Sequence, residues 1–284
     1  MISIISNELY SSLMLNDTRK ILNEILELFD FINSNSFDIK KTEKIWDSEY
    51  NGDILVDWLY SNDEPVLSDL KRELSIQITK AQSFENSHEY ELFQEKLSKD
   101  HPSYCDFNDK FLFIEDDNTE NIHLISSIDK LLKLMRRYIS VSPNKIEFFK
   151  MLKIYYPNLF FHENVFSSLR NLNTDFSDLL PEIVDHLTAL DEFSKENNKL
   201  SKSNREKCAD FESLFDINCS PESSREKAKL LTFKDGEIDI TCECHTKFKK
   251  FGRNKNKQDR IYFSFGTELY EEGKIIVYSI GDHI

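Results

Sequence analysis

The sequence predicts an α+β fold: a mainly helical body over residues 1–224, then a small antiparallel β-sheet domain over residues 225–284. Three observations predict it. Apolar residues recur at helical spacing through most of the chain and switch to alternation from Lys229 onward. Five of the six glycines (Gly236, Gly252, Gly266, Gly273 and Gly281) fall in the last part, where turns between strands need them. Charge divides in the same place, the overall −15 resolving into +2 over residues 225–284 and −17 over residues 1–224.

The helical elements follow in order. Asn16-Asp17-Thr18 caps a helix carrying Ile21, Leu22, Ile25, Leu26 and Phe29 on one face. After Pro65, the residues Val66, Leu67, Leu70, Leu74, Ile76 and Ile78 continue the pattern. Asn118 opens a segment through Ile122, Leu124, Ile125, Ile128, Leu131, Leu132 and Met135, which Pro143 stops. Ile146, Phe149, Met151, Leu152 and Tyr155 form a further stripe up to Pro157, and Leu179, Ile183, Val184, Leu187 and Leu190 another. Phe111-Leu112-Phe113-Ile114 fits a short strand or a buried helical turn equally well. Cys219–Ser224 reads as the start of a last short helix to Leu231.

The strands come next. Lys234-Asp235-Gly236 is a hairpin turn. Beyond it, Ile238, Ile240, Cys242, Cys244 and Phe248 fall on one face, with Glu237, Asp239, Thr241, Glu243, His245 and Lys247 on the other. Arg260–Phe265 repeats the alternation, with Ile261, Phe263 and Phe265 inward and Arg260, Tyr262 and Ser264 outward. A turn at Glu268–Gly273 leads to Lys274–Ile280, apolar on both faces and so expected to be central or covered.

Length and composition bound the function. A chain of 284 residues with 39% hydrophobic and 12% aromatic content can bury a sizeable core in one large or two ordinary domains. Met1–Ser6 lacks the basic start and long apolar stretch of a secretion signal, and no run approaches the ~18 apolar residues that span a bilayer. The five cysteines have no framework spacing, so reduced thiols and a cytoplasmic location are expected, with no membrane partner. The paired acids Asp63/Glu64 and Asp116/Asp117 read as solvated surface.

Between Thr241 and Arg260 seven Lys/Arg residues face two acids. The cations Lys249, Lys250, Arg253, Lys255 and Lys257 are candidate nucleic-acid contacts on an exposed loop, while the acidic helical body is the expected protein-binding part. The candidate catalytic set is His245, Lys247, Arg260, Tyr262 and His283. Metal-independent cleavage of RNA uses such groups: a near-neutral base takes the 2′-hydroxyl proton, cations hold the developing phosphorane charge and an acid protonates the leaving oxygen. The plainer reading is that His245 and Tyr262 decorate a solvent face. Cys242, Cys244, His245 and His283 do not make a zinc set, because alternation turns the cysteines away from His245. Asp235 or Asp239 with Glu243 and Lys247 matches the acid–acid–lysine order of metal-dependent nucleases only loosely in spacing. No cofactor and no metal is expected.

The tail Arg260-Ile-Tyr-Phe, a turn, then Gly273-Lys-Ile-Ile-Val-Tyr-Ser-Ile-Gly-Asp-His resembles the terminal hairpin of the RelE/ParE-type toxin superfamily. It is also similar to short tails on bacterial proteins near phage-defence genes. The resemblance implies a bacterial toxin or antiphage-defence effector whose last domain binds RNA, with metal-independent cleavage as the further expectation. Arg260 matches the family's phosphate-stabilising arginine, and His283 falls near its terminal basic position. ParE-like members act on gyrase, which leaves the target open. The alternative is a non-enzymatic subunit of a defence complex that docks nucleic acid or a partner protein through the basic segment.

Overall fold

The structure is a computed structural model that describes residues 2–5, 9–15, 17–61, 64–84, 111–113, 127–140, 144–197, 202–250, 252, 257–267 and 270–282. Asp63, Ile114, Asp116, Asp117, Asn118, Ile122, Leu124, Ile125 and Pro143 lie outside them. The chain forms two compact units, Met1–Tyr138 and Ile139–Ile284. The protein mixes helices and sheets.

In the first unit, β1 (Ile2–Ile5), β2 (Asp38–Lys41), β3 (Glu49–Tyr50), β4 (Asp53–Ile54), β5 (Gln82–Ser83) and β6 (Phe111–Phe113) accompany α1 (Leu9–Leu15), α2 (Thr18–Ser34), α3 (Leu55–Tyr60), α4 (Ser68–Lys80) and α5 (Ile128–Ile139). An all-parallel sheet runs in the order β5-β2-β1-β6, so Phe111–Phe113 is a strand. The helical body expected of this region is therefore corrected to a layered α/β arrangement. Parallel neighbours need helical crossovers, which α2 and α4 supply. Asp17 caps α2 by accepting from the Lys20 N–H at 3.2 Å, and Leu22, Ile25, Leu28, Phe29 and Ile32 bury its inner stripe. Lys41 stabilises the far end of α4, its Nζ donating to the carbonyls of Ile78 (2.6 Å) and Thr79 (3.2 Å), which the helix leaves without partners.

The second unit comprises α6 (Lys145–Tyr155), β7 (Leu159–Phe161), α7 (Asn164–Ser168), α8 (Phe176–Asn197), α9 (Asn204–Phe215), β8 (Cys219–Pro221), α10 (Arg225–Leu230), β9 (Thr232–Asp235), β10 (Ile238–Thr241), β11 (Cys244–Lys247), β12 (Arg260–Ser264) and β13 (Ile275–Gly281). Its sheet has five strands in the order β7-β13-β12-β11-β8. β7 runs parallel to β13 and the other pairs are antiparallel. The small antiparallel sheet expected within 225–284 is thus corrected to a larger mixed one that recruits β7 and β8 from earlier in the chain. β13 is an interior strand, paired on both sides and covered on both faces, as its apolar faces require.

Each face of this sheet is covered differently. Helix α8 lies along one face: His186 Nδ1 meets Thr246 Oγ1 at 2.9 Å, the His186 ring lies 4.8 Å from Phe248, and Phe193 lies 5.5 Å from Phe265. Leu179, Ile183, Leu187, Leu190 and Phe193 are fully buried there, each worth about 2 kcal/mol of transfer free energy. On the opposite face the β9–β10 hairpin covers part of the surface, packing Ile240 and Cys242 against Ile276, with Phe160, Phe233, Tyr270 and Tyr278 around them. The expected continuous strand from Ile238 to Phe248 is therefore broken at Cys242-Glu243: β10 pairs with β9, and β11 joins the sheet. Gly266 has φ +80°, and a Cβ there would stand 2.2 Å from the Lys274 carbonyl oxygen, so the turn admits only glycine without rearrangement. Among the described residues no helix is long and apolar enough to cross a membrane.

Candidate functional site

The uncovered part of that second face is built by register. His245 stands opposite Tyr262 and Lys247 opposite Arg260 across β11 and β12. Alternation then puts all four on one side, so the two strand faces that the sequence left separate coincide. The structure adds Ser220, which β8 places opposite His245, and Glu222, whose N–H donates to the Glu243 carbonyl at 2.8 Å just past the strand end.

The centre of the group is an arginine–imidazole pair. Arg260 Nη1 lies 3.1 Å from His245 Nε2 and 3.4 Å from the Tyr262 hydroxyl. A guanidinium only donates, so Nε2 accepts and the imidazole is neutral with its proton on Nδ1. The Ser220 hydroxyl lies 3.3 Å from the same Nε2. His245 is 3% exposed, and its pKa is pushed down to about 4, first by burial and then by the Arg260 and Lys247 cations. The Glu243 backbone and the Glu222 carboxylate oppose the shift. Burial raises the Glu222 pKa, but the Ser224 N–H, Lys227, His245 and Arg260 outweigh it and hold the carboxyl below its ordinary range.

Burial corrects the expectation of a solvent-facing strand. Tyr262 is 1% exposed, its ring 5.3 Å from that of His245, so it cannot offer a stacking platform to a base. The half-buried residues Ser220, Glu222, Lys247 and Arg260 form the accessible rim. Arg260 Nε is buried without a hydrogen-bond partner among the described residues. Such a donor is costly to leave unmade, which favours an acceptor arriving from outside.

The basic segment is tied to its own protein. The Glu182 carboxylate accepts from the Lys249 N–H and, at 3.4 Å, from the Lys250 N–H. Lys250 Nζ donates to the Asp178 carbonyl at 2.5 Å, and Lys257 pairs with Asp282 at 2.6 Å. The fully buried Asp259 accepts from the N–H groups of Asn173 and Thr174, each at 2.8 Å. A Cβ on Gly252 would stand 2.2 Å from the Asn173 carbonyl oxygen, so the backbone at Gly252 lies directly against that neighbour. The Lys249, Lys250 and Lys257 side chains remain exposed, whereas Arg253, Lys255 and His283 lie outside the described residues.

Among the described residues the two alternative sets do not assemble. Cys242 sits in the hairpin core, and Cys244 faces Cys208, away from His245. Asp239 pairs with Lys234 at 3.4 Å, and Glu243 accepts from Asn204 Nδ2 at 2.9 Å, neither of them meeting Lys247. Among the described residues no group of three or more His, Cys, Asp or Glu side chains is arranged to hold a metal ion. Set against protein-family models, curated proteins and solved structures, the chain matches none.

Proposed function

We propose that the rim formed by Ser220, Lys247 and Arg260 around His245 binds the phosphodiester backbone of RNA, in a protein that acts as a bacterial toxin or antiphage-defence effector. One observation carries the reading: a half-buried arginine donates to a neutral buried imidazole and keeps a further donor unpartnered. An incoming phosphate competes for the Arg260 guanidinium with two oxygens, a stronger acceptor than imidazole. Withdrawal of Arg260 frees His245 Nε2, which is then a base without first having to lose a proton. In cleavage, Nε2 takes the 2′-hydroxyl proton, the 2′-oxygen bonds to phosphorus, and the P–O5′ bond breaks with the imidazolium returning the proton to the leaving 5′-oxygen, while Arg260 and Lys247 hold the charge that develops on phosphorus. No metal is required by this set. The resemblance of Arg260–His283 to the RelE/ParE-type hairpin supports the same assignment.

The test is binding and cleavage of end-labelled single-stranded RNA in chelator. Wild type should bind and cut; Arg260→Gln should lose both; His245→Gln should bind and fail to cut. Wild-type binding without cutting would leave the effector a binder. Absence of RNA binding at low salt would sink the proposal. The second reading is a docking module working through the exposed Lys249 and Lys250 side chains. It predicts that Lys249→Ser with Lys250→Ser abolishes binding while Arg260→Gln does not.

A further inference from the structure

The face of the sheet beneath α9 holds three thiols in one group. Cys219 is opposite Thr246 in the β8–β11 register and Cys244 opposite Pro221, so both point to the side away from His245. Cys208 comes down from α9, which packs on β8, within hydrogen-bonding reach of both, and all three are buried and free. The chain turns between helix and strand at Asp216, whose φ of 54° lies in the left-handed region and whose N–H returns to the Glu212 carbonyl. That reversal lays α9 against β8 and brings Cys208 to Cys219.

We infer that Cys208 and Cys219 form a reversible disulfide under hydroperoxide, making this thiol group a two-electron redox site. The Cys208 thiol is held below its ordinary range by hydrogen bonds from Cys219 and then Cys244, against burial. Of the three it is therefore the thiol that ionises most readily, and thiolates are the nucleophiles. Its sulfur attacks one peroxide oxygen, the O–O bond breaks and hydroxide leaves, giving a sulfenic acid. Cys219 then gives up its proton and attacks that sulfur, the S–O bond breaks and water leaves. Two thiols and one peroxide become one disulfide and two waters. Cys219 resolves rather than Cys244 because β8 is a three-residue edge strand paired on one side only, whereas β11 is paired on both. An edge strand can shift to meet disulfide geometry at lower cost. Cys242 is the internal contrast: it sits in the hairpin core on the other face of the sheet, where burial pushes its pKa up to about 12.

The inference does not depend on RNA binding at the opposite face. Its test is brief treatment of the full-length protein with hydrogen peroxide, then alkylation, proteolysis and peptide mapping by mass spectrometry. The expected product has lost two hydrogens, links the Cys208 and Cys219 peptides, reverts with dithiothreitol and is absent in Cys208→Ser and Cys208→Ala. A Cys208–Cys244 link, oxygen added to unlinked thiols, or thiols that stay intact under peroxide sufficient to oxidise glutathione would each overturn it. The wild-type map decides the matter even where a variant folds poorly.

Discussion

Acidification tests the arginine–imidazole pair directly. His245 has an ordinary pKa near 6.5 in the unfolded chain and about 4 when folded. The unfolded state therefore binds the proton first. Stability contributed by the neutral imidazole is fully present above pH ~6.5 and is lost as the pH falls towards ~4. The displacement corresponds to about 3 kcal/mol, reduced to about 2–3 by the partial solvent access of the rim. His186, pushed down to about 3 by burial and then by Lys249, titrates in the same direction. A variant is needed to isolate the His245 share. His245→Gln retains an acceptor for Arg260 and removes the titration. Urea unfolding followed by far-ultraviolet circular dichroism, between pH ~7 and ~4.5, should show wild type losing about 2 kcal/mol more than His245→Gln. Imidazole NMR resonances give the folded pKa independently. Equal acid sensitivity of the two proteins, or a folded His245 titrating near its ordinary value, would refute the neutral-imidazole argument.

Other consequences can be checked alongside it. Asp259→Ala removes the acceptor for two backbone N–H groups at the foot of the basic loop and should cost about 3 kcal/mol in urea unfolding. Phe193→Ala should cost about 3–5 kcal/mol, because its ring packs on Phe211, Phe215 and Phe265 in a site too crowded to collapse. Gly252→Ala forces the loop off the Asn173 carbonyl and should speed trypsin cleavage at Lys249 and Lys250 in limited proteolysis. If Lys247 meets phosphate, Lys247→Gln should lower the salt slope of RNA affinity by about one unit.

How much of this was legible in the sequence depended on what each element packs against. Amphipathic helices such as α2 and α8 announce themselves because one face meets the core and the other water; Leu179 through Leu190 are buried at the expected positions. The strands β11 and β12 were legible for the same reason: alternation grouped His245 with Lys247 and Arg260 with Tyr262, and the register joins the two groups. Alternation cannot say whether the second face is wet. Here the hairpin and neighbouring strands shut most of it away, so Tyr262 is buried where solvent was expected. The parallel strands of the first unit escaped because they are very short and, in β2, charged: Asp38-Ile39-Lys40-Lys41 carries one apolar residue. Ser220 and Glu222 escaped because Ser-Pro-Glu-Ser-Ser resembles a helix entry, and the cap does fall there, at Ser224, one turn later than β8. The break at Cys242-Glu243 had no local signal, since both halves alternate in the same phase. The Ser203–Glu206 capping box that starts α9 was a readable signal.

The identity of the group at residue 260 separates binding from base activation. Arginine is planar and forked, so it can hold a phosphate with two parallel bonds while turning away from His245 Nε2. Lysine keeps the charge in a single ammonium and loses the fork. In Arg260→Lys, non-specific attraction to RNA should survive with little change in salt slope, because the count of cations is the same. Positioning of the phosphate against Nε2 should not survive. The variant is therefore expected to bind RNA within about tenfold of wild type, yet to cut it far more slowly. Its folded His245 pKa should stay below the ordinary value, since burial and Lys247 remain and the charge at residue 260 is retained. Gel-shift titration, a cleavage time course and the imidazole NMR titration read these three quantities separately. If Arg260→Lys cuts as fast as wild type, the guanidinium fork has no part in orienting the phosphate. The Arg260–His245 bond would then be a structural contact that merely holds two buried polar groups together.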